Sequence, residues 1–275
     1  KEEVIDKVHI IPLPQFKGRL RRILVKPFLA LSRALKTQAD LFHFHDPELI
    51  PMGLLLKILG KKVIYDVHED VPSQILDKHW IPPQFRRLVS GVFGGIEDFC
   101  SHFFDGIVAA TPYITNIFLK RNENAININN YPLVEEYVDL KAGETRKTSH
   151  EKIICYVGSI TKERVIFELV KALEGTNIKL YLAGTPSPKN LIDVLQSEKG
   201  WENVVYFGQV DRKKISSILS DSQVGICTLH PTKSYKESLP IKLFEYMSAG
   251  LPIVASNFPY WQDLLADIKG VNFVD

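Results

Sequence analysis

The chain has 275 residues, of which 45% are hydrophobic, and this is enough for two domains that each bury a core. The formal net charge of +2 argues against nucleic acid as the main partner, because domains that bind nucleic acid are usually much more basic. No stretch reaches the roughly 20 apolar residues of a membrane-spanning helix, and the three unclustered cysteines favour free core thiols in a reducing cytoplasm.

The first feature in chain order is a basic segment from Lys7 to Lys36, which contains no Asp or Glu. Its basic residues after Lys7 are Lys17, Arg19, Arg21, Arg22, Lys26, Arg33 and Lys36. The simpler interpretation is a helix with its apolar side on the core and its charged side in water. The alternative is peripheral binding to an anionic membrane surface, on the inner face of the membrane.

Short β-branched runs alternate with helical patterns along the whole chain, which is typical of parallel βαβ units. Strands are predicted at residues 40–45, 62–67, 106–110, 125–129, 153–157, 178–183, 204–207, 223–229 and 252–255. Crossover helices are predicted at residues 164–173 and 210–220. Residues 141–152 are polar and lack hydrophobic periodicity, so we expect them to link a first domain, residues 1–140, to a second, residues 153–275.

Two polar motifs follow predicted strands of the first domain: H-F-H-D-P-E-L, which begins at His43, and Y-D-V-H-E-D, which ends at Asp70. Ligands of open α/β sheets bind beyond the carboxyl ends of the strands, so we expect His45, Asp46 and His68 to face a cleft. Because His43 and His45 share one strand face, a metal site completed by Asp46 or His68 is an alternative. Purely structural histidines are another. The chain has no D-x-D motif, which argues against a metal-bound nucleotide.

In the second domain, a predicted strand ends in G-S-I-T-K-E-R, which runs from Gly158 to Arg164 and precedes a predicted helix. A glycine at this point lets a ligand approach the backbone closely, and the N-terminus of the next helix attracts anions. Lys162 and Arg164 would neutralise phosphate charge. We therefore interpret this turn, including Ser159, as part of a nucleotide-binding site.

The stretch E-S-L-P-I-K-L-F-E-Y-M, from Glu237 to Met247, combines a helix start with two carboxylates eight positions apart. Pro240 is predicted in the first turn of this helix, and Gly250 is predicted to end it. The N–H groups that follow Pro240, together with the charge of Lys242, predict a diphosphate site. Since carboxylates do not hold phosphate, the two glutamates are expected to accept hydrogen bonds from sugar or ribose hydroxyls.

These motifs resemble the family 4 glycosyltransferases, which are retaining enzymes, here of the type found in bacterial glycan biosynthesis. The E-x7-E pattern of Glu237 and Glu245 carries most of the resemblance. Supporting motifs lie at residues 43–49, 66–70, 110–114, 129–132, 156–164, 181–184 and 205–210. The resemblance implies an α/β fold of the GT-B type, in which two Rossmann-like parallel-sheet domains face a cleft. The family normally has a strand and glycine-rich loop before this segment and helices after it, so we expect a chain that is incomplete at both ends.

The resemblance also implies roles for individual residues. The catalytic set would be Glu237 at the donor sugar, His68 beside that sugar, and Arg164 and Lys242 at the diphosphate. The nucleotide-binding set would be Glu245 at the ribose, together with Gly158, Ser159, Lys162, Phe207, Val210 and Ile241. The remaining substrate-binding residues would be His45, Asp46 and Pro240. Two positions depart from the family pattern, because Ser159 replaces a common arginine and Val165 replaces a common glycine.

The implied function is metal-independent transfer of a hexose, with retention, from a nucleoside diphosphate sugar to a glycan or a lipid-linked acceptor. A UDP-sugar is the expected donor and GDP-mannose is the rival; no other cofactor, no metal and no nucleic acid are expected. The family expectation is front-face attack, in which a phosphate oxygen accepts the proton of the acceptor. Two alternatives stay open, a non-catalytic nucleotide-binding homologue and a nucleotide-sugar epimerase of the same architecture.

Overall fold

The computed structural model of the chain describes residues 2–16, 18–78, 80–133 and 151–275. The chain forms two compact units, Lys1–Asn129 and Asn130–Asp275. Most of the predicted linker, residues 141–150, lies outside the described residues, and Lys152 at its end already begins a strand. Each unit is an α/β structure, as the alternating patterns predicted.

The first unit contains a short antiparallel pair followed by a parallel sheet with helices. Its elements are β1 Glu3–Ile5, β2 Val8–Ile10, α1 Arg19–Lys36, β3 Leu41–Phe44, α2 Ile50–Ile58, β4 Lys62–Val67, α3 Val71–Asp77, α4 Pro83–Ser101, β5 Gly106–Ala109, α5 Pro112–Phe118 and β6 Ala125–Asn127. The strand order β3-β4-β5-β6 is that of the sequence, and each neighbouring pair is parallel. The carboxyl ends of β3 and β4 therefore lie side by side.

The second unit contains a six-stranded parallel sheet. Its elements are β7 Lys152–Val157, α6 Ile166–Ala172, β8 Ile178–Ala183, α7 Leu191–Gln196, β9 Val204–Gly208, α8 Arg212–Asp221, β10 Val224–Cys227, α9 Lys233–Lys236, α10 Ile241–Ser248, β11 Ile253–Ser256, α11 Pro259–Leu264 and β12 Val271–Val274. The strand order is β12-β11-β10-β7-β8-β9. The order reverses direction at β7, and such points are where ligands bind in open α/β sheets.

The central strand β7 is hydrophobic after Lys152 because both of its faces are covered. Cys155 and Val157 join a buried cluster with Leu243, whereas Tyr156 joins a separate cluster with Ile166. Since alternate side chains of a strand point to opposite faces, helices cover this sheet on both sides.

All nine predicted strands are present, with ends that differ by at most two residues from the prediction. The strands β1, β2 and β12 were not predicted. Because β1 and β2 are exposed along their whole length, their sequences show no alternation of buried and exposed residues. The predicted position of Pro240 was wrong by one residue, because Pro240 caps α10 and the helix begins at Ile241. Gly250 follows the helix with a φ of 64°, as its role in ending the helix requires.

Candidate functional site

The site in the second unit is built around two glycines at the carboxyl ends of β7 and β8. Gly158 and Gly184 adopt φ values of 138° and 147°, which favour glycine. A Cβ on Gly158 would overlap the side chain of Lys242, and a Cβ on Gly184 would overlap the carbonyl of Gly158. The absence of side chains therefore lets the start of α10 approach the end of β7.

Lys242 completes a short chain of hydrogen bonds at this point. Its Nζ donates to the hydroxyl of Tyr156 at 2.8 Å, and that hydroxyl donates to the carbonyl of Ser159 at 2.8 Å. Tyr156 is buried, and burial raises its pKa, so the phenol stays protonated and neutral. The Lys242 ammonium is thus held in place by a neutral partner that does not cancel its charge.

Burial and a neighbouring cation make this lysine unusual. Burial, and then the charge of Arg164, lower the pKa of Lys242 to about 7, and the carboxylate of Glu245 offsets only part of the effect. The charge of Arg164 also lowers the pKa of the Tyr156 phenol, in opposition to burial. Two cations therefore converge on Tyr156, as expected of a site for a diphosphate.

The N-terminus of α10 adds backbone donors to this cationic site. No side chain among the described residues caps this end, and its first turn contains no acid. The N–H groups of Ile241 and Lys242 occupy the first helical turn, where no intrahelical acceptor is available. The preceding loop is fixed, because the indole of buried Trp261 donates to the carbonyl of Ser238 at 2.8 Å. Glu237 lies half-buried at the end of α9, just before this loop.

Glu245, which was predicted to bind ribose, has a partner that the sequence did not reveal. The Arg212 guanidinium donates to its Oε1 at 3.0 Å; the Glu245 side chain is 13% exposed and that of Arg212 is 64% exposed. Arg212 is the first residue of α8, and nothing in its local sequence distinguishes it from a solvated helix residue. The pair fixes the carboxylate beside the cationic site.

The predicted base-binding segment, Phe207 to Val210, lies at the end of β9. The ring of Phe207 meets Tyr181 edge to face at 5.3 Å between centroids, and the Lys214 Nζ lies 4.6 Å from the Phe207 ring centroid. Val210 packs against the buried cluster that contains Cys155, Val157 and Leu243. Lys162 is exposed in the turn before Arg164, so it is accessible but not fixed by the described contacts.

In the first unit, the structure assembles a polar cluster where β3 and β4 end. The side chains of His43, His45 and His68 all contact the carboxylate of Asp66, at 3.0, 3.1 and 3.3 Å. The alternative of a metal site completed by Asp46 is not supported, because the Asp46 carboxylate is 60% exposed, lies 3.8 Å from Lys26 Nζ and is not grouped with the histidines. Asp66 was missed because it lies inside a buried strand, where sequence alone suggests core.

The first unit also contains an apolar cavity of about 840 Å³ between its helices. Leu24 and Phe28 of α1 and Phe93 of α4 contribute to its walls, and Arg22 and Lys78 also line it. Phe28 is 63% exposed, so the expectation that α1 buries its apolar side on the core is only partly met. No helix among the described residues is both long and apolar enough to cross a membrane.

Comparison with known proteins agrees with this architecture. The family profile "Glycosyltransferase Family 4" matches residues 1–126, and the profile "Glycosyl transferases group 1" matches residues 139–273. A phosphatidyl-myo-inositol mannosyltransferase of Propionibacterium freudenreichii subsp. shermanii is 23% identical over 98% of this chain, and the chain spans 66% of its length.

Solved structures show the same fold. Sucrose-phosphate synthase from Thermosynechococcus elongatus has a TM-score of 0.68 at 17% identity, and the match covers 94% of this chain and 67% of the synthase chain. HepE from Anabaena, solved in complex with UDP and glucose, has a TM-score of 0.60 at 15% identity, over 90% of this chain and 66% of its own. The two profiles together match nearly the whole sequence, and the fold is GT-B; the chain belongs to the family 4 glycosyltransferases.

Proposed function

We propose that this chain transfers a hexose from a nucleoside diphosphate sugar to a glycan or lipid-linked acceptor, with retention at the anomeric carbon. The observation that carries the proposal is a pair of cations: Lys242 lies beside Gly158 in the first turn of α10, and Arg164 is near enough for its charge to lower the pKa of Lys242. Among the described residues neither cation forms an ion pair with a carboxylate, so the site fits a dianionic diphosphate better than a neutral ligand.

The chemistry follows from the charge that develops as the donor breaks. Cleavage of the bond between the anomeric carbon and the diphosphate makes the diphosphate more negative and the sugar more positive. Fixed cations and helix N–H groups at the phosphates therefore stabilise the transition state more than the ground state. The helix end contributes about 0.3–1 kcal/mol, up to roughly 2 when partly buried, whereas one lost donor of this kind typically costs about 3–4 kcal/mol. We expect the two side-chain cations to dominate.

The acceptor step needs no dedicated protein base under this proposal. A phosphate oxygen of the leaving diphosphate takes the acceptor proton as the acceptor attacks on the same face, which accounts for retention. Glu237 and His68 would act on the donor sugar, and Glu245, held by Arg212, would bind the ribose. His45, Asp46 and Pro240 are proposed to take part in binding the substrates. The cations replace the divalent metal that other transferases place on the diphosphate, so we propose metal-independent transfer.

We propose a UDP-sugar as the donor, with GDP-mannose as the rival. The HepE structure holds UDP, which favours the first, and the mannosyltransferase name of one relative favours the second. The described side chains near the proposed base position, Phe207 and Val210, are apolar and present no donor or acceptor that selects a base.

The nucleotide is tested first by thermal unfolding with UDP, GDP, ADP and their sugars. Ligand at about one hundred times its dissociation constant should add roughly 2.7 kcal/mol of stability. We expect a shift with one base that is abolished in Glu245→Ala and kept in Glu174→Ala, whose carboxylate is exposed and pairs with Lys199 on the surface. No shift with any nucleotide, or an equal loss in both variants, would contradict the donor site.

We propose that the acceptor is lipid-linked and that α1 contacts an anionic membrane surface on the cytoplasmic side. Support comes from the apolar cavity beside Phe28 and from the basic residues of α1, which carries no acid. Phe28→Glu should weaken sedimentation with vesicles that contain anionic phospholipid. The matched control is Val194→Glu, which places the same charge on an exposed apolar position of α7 in the second unit. Equal binding by both variants would remove the membrane part of the proposal.

A non-catalytic nucleotide-binding homologue is the second candidate, favoured by Ser159 and Val165 at positions where the family usually has arginine and glycine. An assay that mixes donor and acceptor separates the two, because only the transferase releases free nucleoside diphosphate in proportion to glycosylated acceptor. Donor incubated with water alone would yield an epimerised sugar if the chain were instead an epimerase.

A further inference from the structure

We propose that His43, His45 and Asp66 of the first unit form a binding site for a divalent transition metal of the zinc class, with His68 as a fourth contact. The Nε2 atom of His43 and the Nδ1 atom of His45 lie 3.0 and 3.1 Å from Asp66 Oδ2. All three ligand atoms lie within 4.8 Å of one another.

The spacing of the donor atoms matches a coordination sphere. Nitrogen and oxygen ligands lie about 2.0–2.1 Å from zinc, so neighbouring corners of a tetrahedron are about 3.3–3.4 Å apart. The contacts of Asp66 with the three histidines measure 3.0, 3.1 and 3.3 Å, and His45 Nδ1 lies 3.1 Å from His68 Nε2. A small adjustment of side chains would therefore admit an ion among them.

Hydrogen bonds alone cannot account for all the contacts among His45, His68 and Asp66. An ionised carboxylate only accepts, so the contacts of His45 and His68 with Asp66 each require a hydrogen on the histidine nitrogen that makes them. The contact between His45 Nδ1 and His68 Nε2 requires a hydrogen on only one of the two nitrogens. At most two of these three contacts can be hydrogen bonds, whereas a cation at the centre attracts the lone pairs of all three groups.

The composition and access of the cluster select the class of ion. Imidazole nitrogens with one carboxylate suit zinc, cobalt or nickel, whereas magnesium and calcium prefer oxygen ligands. The side chains of His43, His45 and His68 are 41%, 58% and 40% exposed, so an ion can reach them, and Asp66 is 11% exposed, which fixes the anionic ligand.

The test is a titration of the purified chain with Co²⁺, followed by its visible absorption, with competition by Zn²⁺ and by Mg²⁺. We expect one bound equivalent, displaced by Zn²⁺ but not by millimolar Mg²⁺. His43→Ala and His45→Ala should each weaken binding by more than about tenfold, since loss of even an outer-shell partner typically costs 10–100-fold. Circular dichroism checks that the variants fold, as expected for exposed side chains.

His102→Ala is the matched control, because His102 is an exposed histidine of the first unit whose Nδ1 donates to the carbonyl of Asp98. Binding that is unchanged in both cluster variants, or lost equally in His102→Ala, would overturn the proposal. The readout is metal binding and not turnover, so its failure leaves the proposed transfer reaction untouched.

Discussion

Among the described residues, each unit contains one group whose pKa is shifted to about 7, but the two groups have opposite surroundings. In the first unit, burial raises the pKa of Glu97 to about 7, while a hydrogen bond from Tyr65 and the charge of Arg121 work against that shift. In the second unit, burial lowers the pKa of Lys242 to about 7, and the next largest influence, Arg164, lowers it further. The partners of Glu97 stabilise its negative charge, whereas the neighbour of Lys242 is a second cation that disfavours its positive charge.

This difference separates a structural polar group from a binding group. Glu97 is 2% exposed inside the core, where a ligand has no access, so its partners account for its presence. Lys242 lies half-buried at the carboxyl ends of the strands, next to Gly158, whose missing Cβ makes room for the lysine side chain. The neighbours of Lys242 make its positive charge less favourable, so we expect an anionic ligand to be its partner.

The largest expected effect is on the rate of transfer, which should depend on Lys242 and not on Glu97. Lys242→Ala and Arg164→Ala should each lower the rate of transfer by about 10²–10³-fold, because each removes a cation from the leaving diphosphate. Glu97→Gln should leave the rate unchanged within about twofold, since it lies in the core. The measurement is a steady-state assay of the released nucleoside diphosphate.

Lys179→Ala is the control for this experiment, because Lys179 is an exposed lysine that pairs with Glu151 outside the site. A double variant of Lys242 and Arg164 that kept the wild-type rate would show that the convergence of the two cations serves no catalytic purpose.

The next effect concerns stability of the first unit. The pKa of Glu97 is about 7 in the folded state and near 4.5 when unfolded, so the folded state binds more protons between these values. The contribution of Glu97 to the free energy of unfolding is therefore fully present below about pH 4.5. It falls by roughly 2–4 kcal/mol in total as the pH rises through 7. Denaturant titrations at pH 5, 6, 7 and 8 should show this fall in the wild type and not in Glu97→Gln. Parallel curves for the two proteins would contradict it.

A third effect concerns the pH dependence of donor binding. The pKa of Lys242 is about 7 in the free protein, and a bound diphosphate should raise it, so binding takes up a proton above neutral pH. Affinity for a nucleotide sugar should fall as the pH rises above 7, by at most about tenfold per pH unit. Titration calorimetry in two buffers with different ionisation enthalpies measures the proton uptake directly.

Lys242→Arg provides the matched variant, because a guanidinium stays charged throughout this range. Its affinity should be nearly independent of pH. A wild-type affinity that is equally flat would mean that Lys242 is already charged in the free protein.

Much of the fold could be predicted from sequence because both faces of a central strand such as β7 are covered, which gives continuous hydrophobic runs such as I-I-C-Y-V. Gly158, Arg164 and Lys242 could also be identified, since each follows a strand or begins a helix. Tyr156 and Asp66 could not, because both lie within strands where a polar side chain resembles ordinary core. Their roles depend on neighbours more than 20 positions away in sequence, and no local pattern encodes those contacts.

The smallest effect concerns strain beside the same cationic site. Val165 has a φ of 57°, which is unfavourable for a β-branched residue, and it is the position where the family commonly has glycine. Such strain costs about 1–3 kcal/mol, whereas glycine gives back about 0.5–1 kcal/mol through unfolded-state entropy. Val165→Gly should therefore stabilise the second unit by about 1 kcal/mol in denaturant titrations. Val165→Ala removes the two γ-methyl groups but keeps the Cβ that disfavours the left-handed backbone, so it should not stabilise. Equal stability of the two variants would show that a Cβ at position 165 causes no strain.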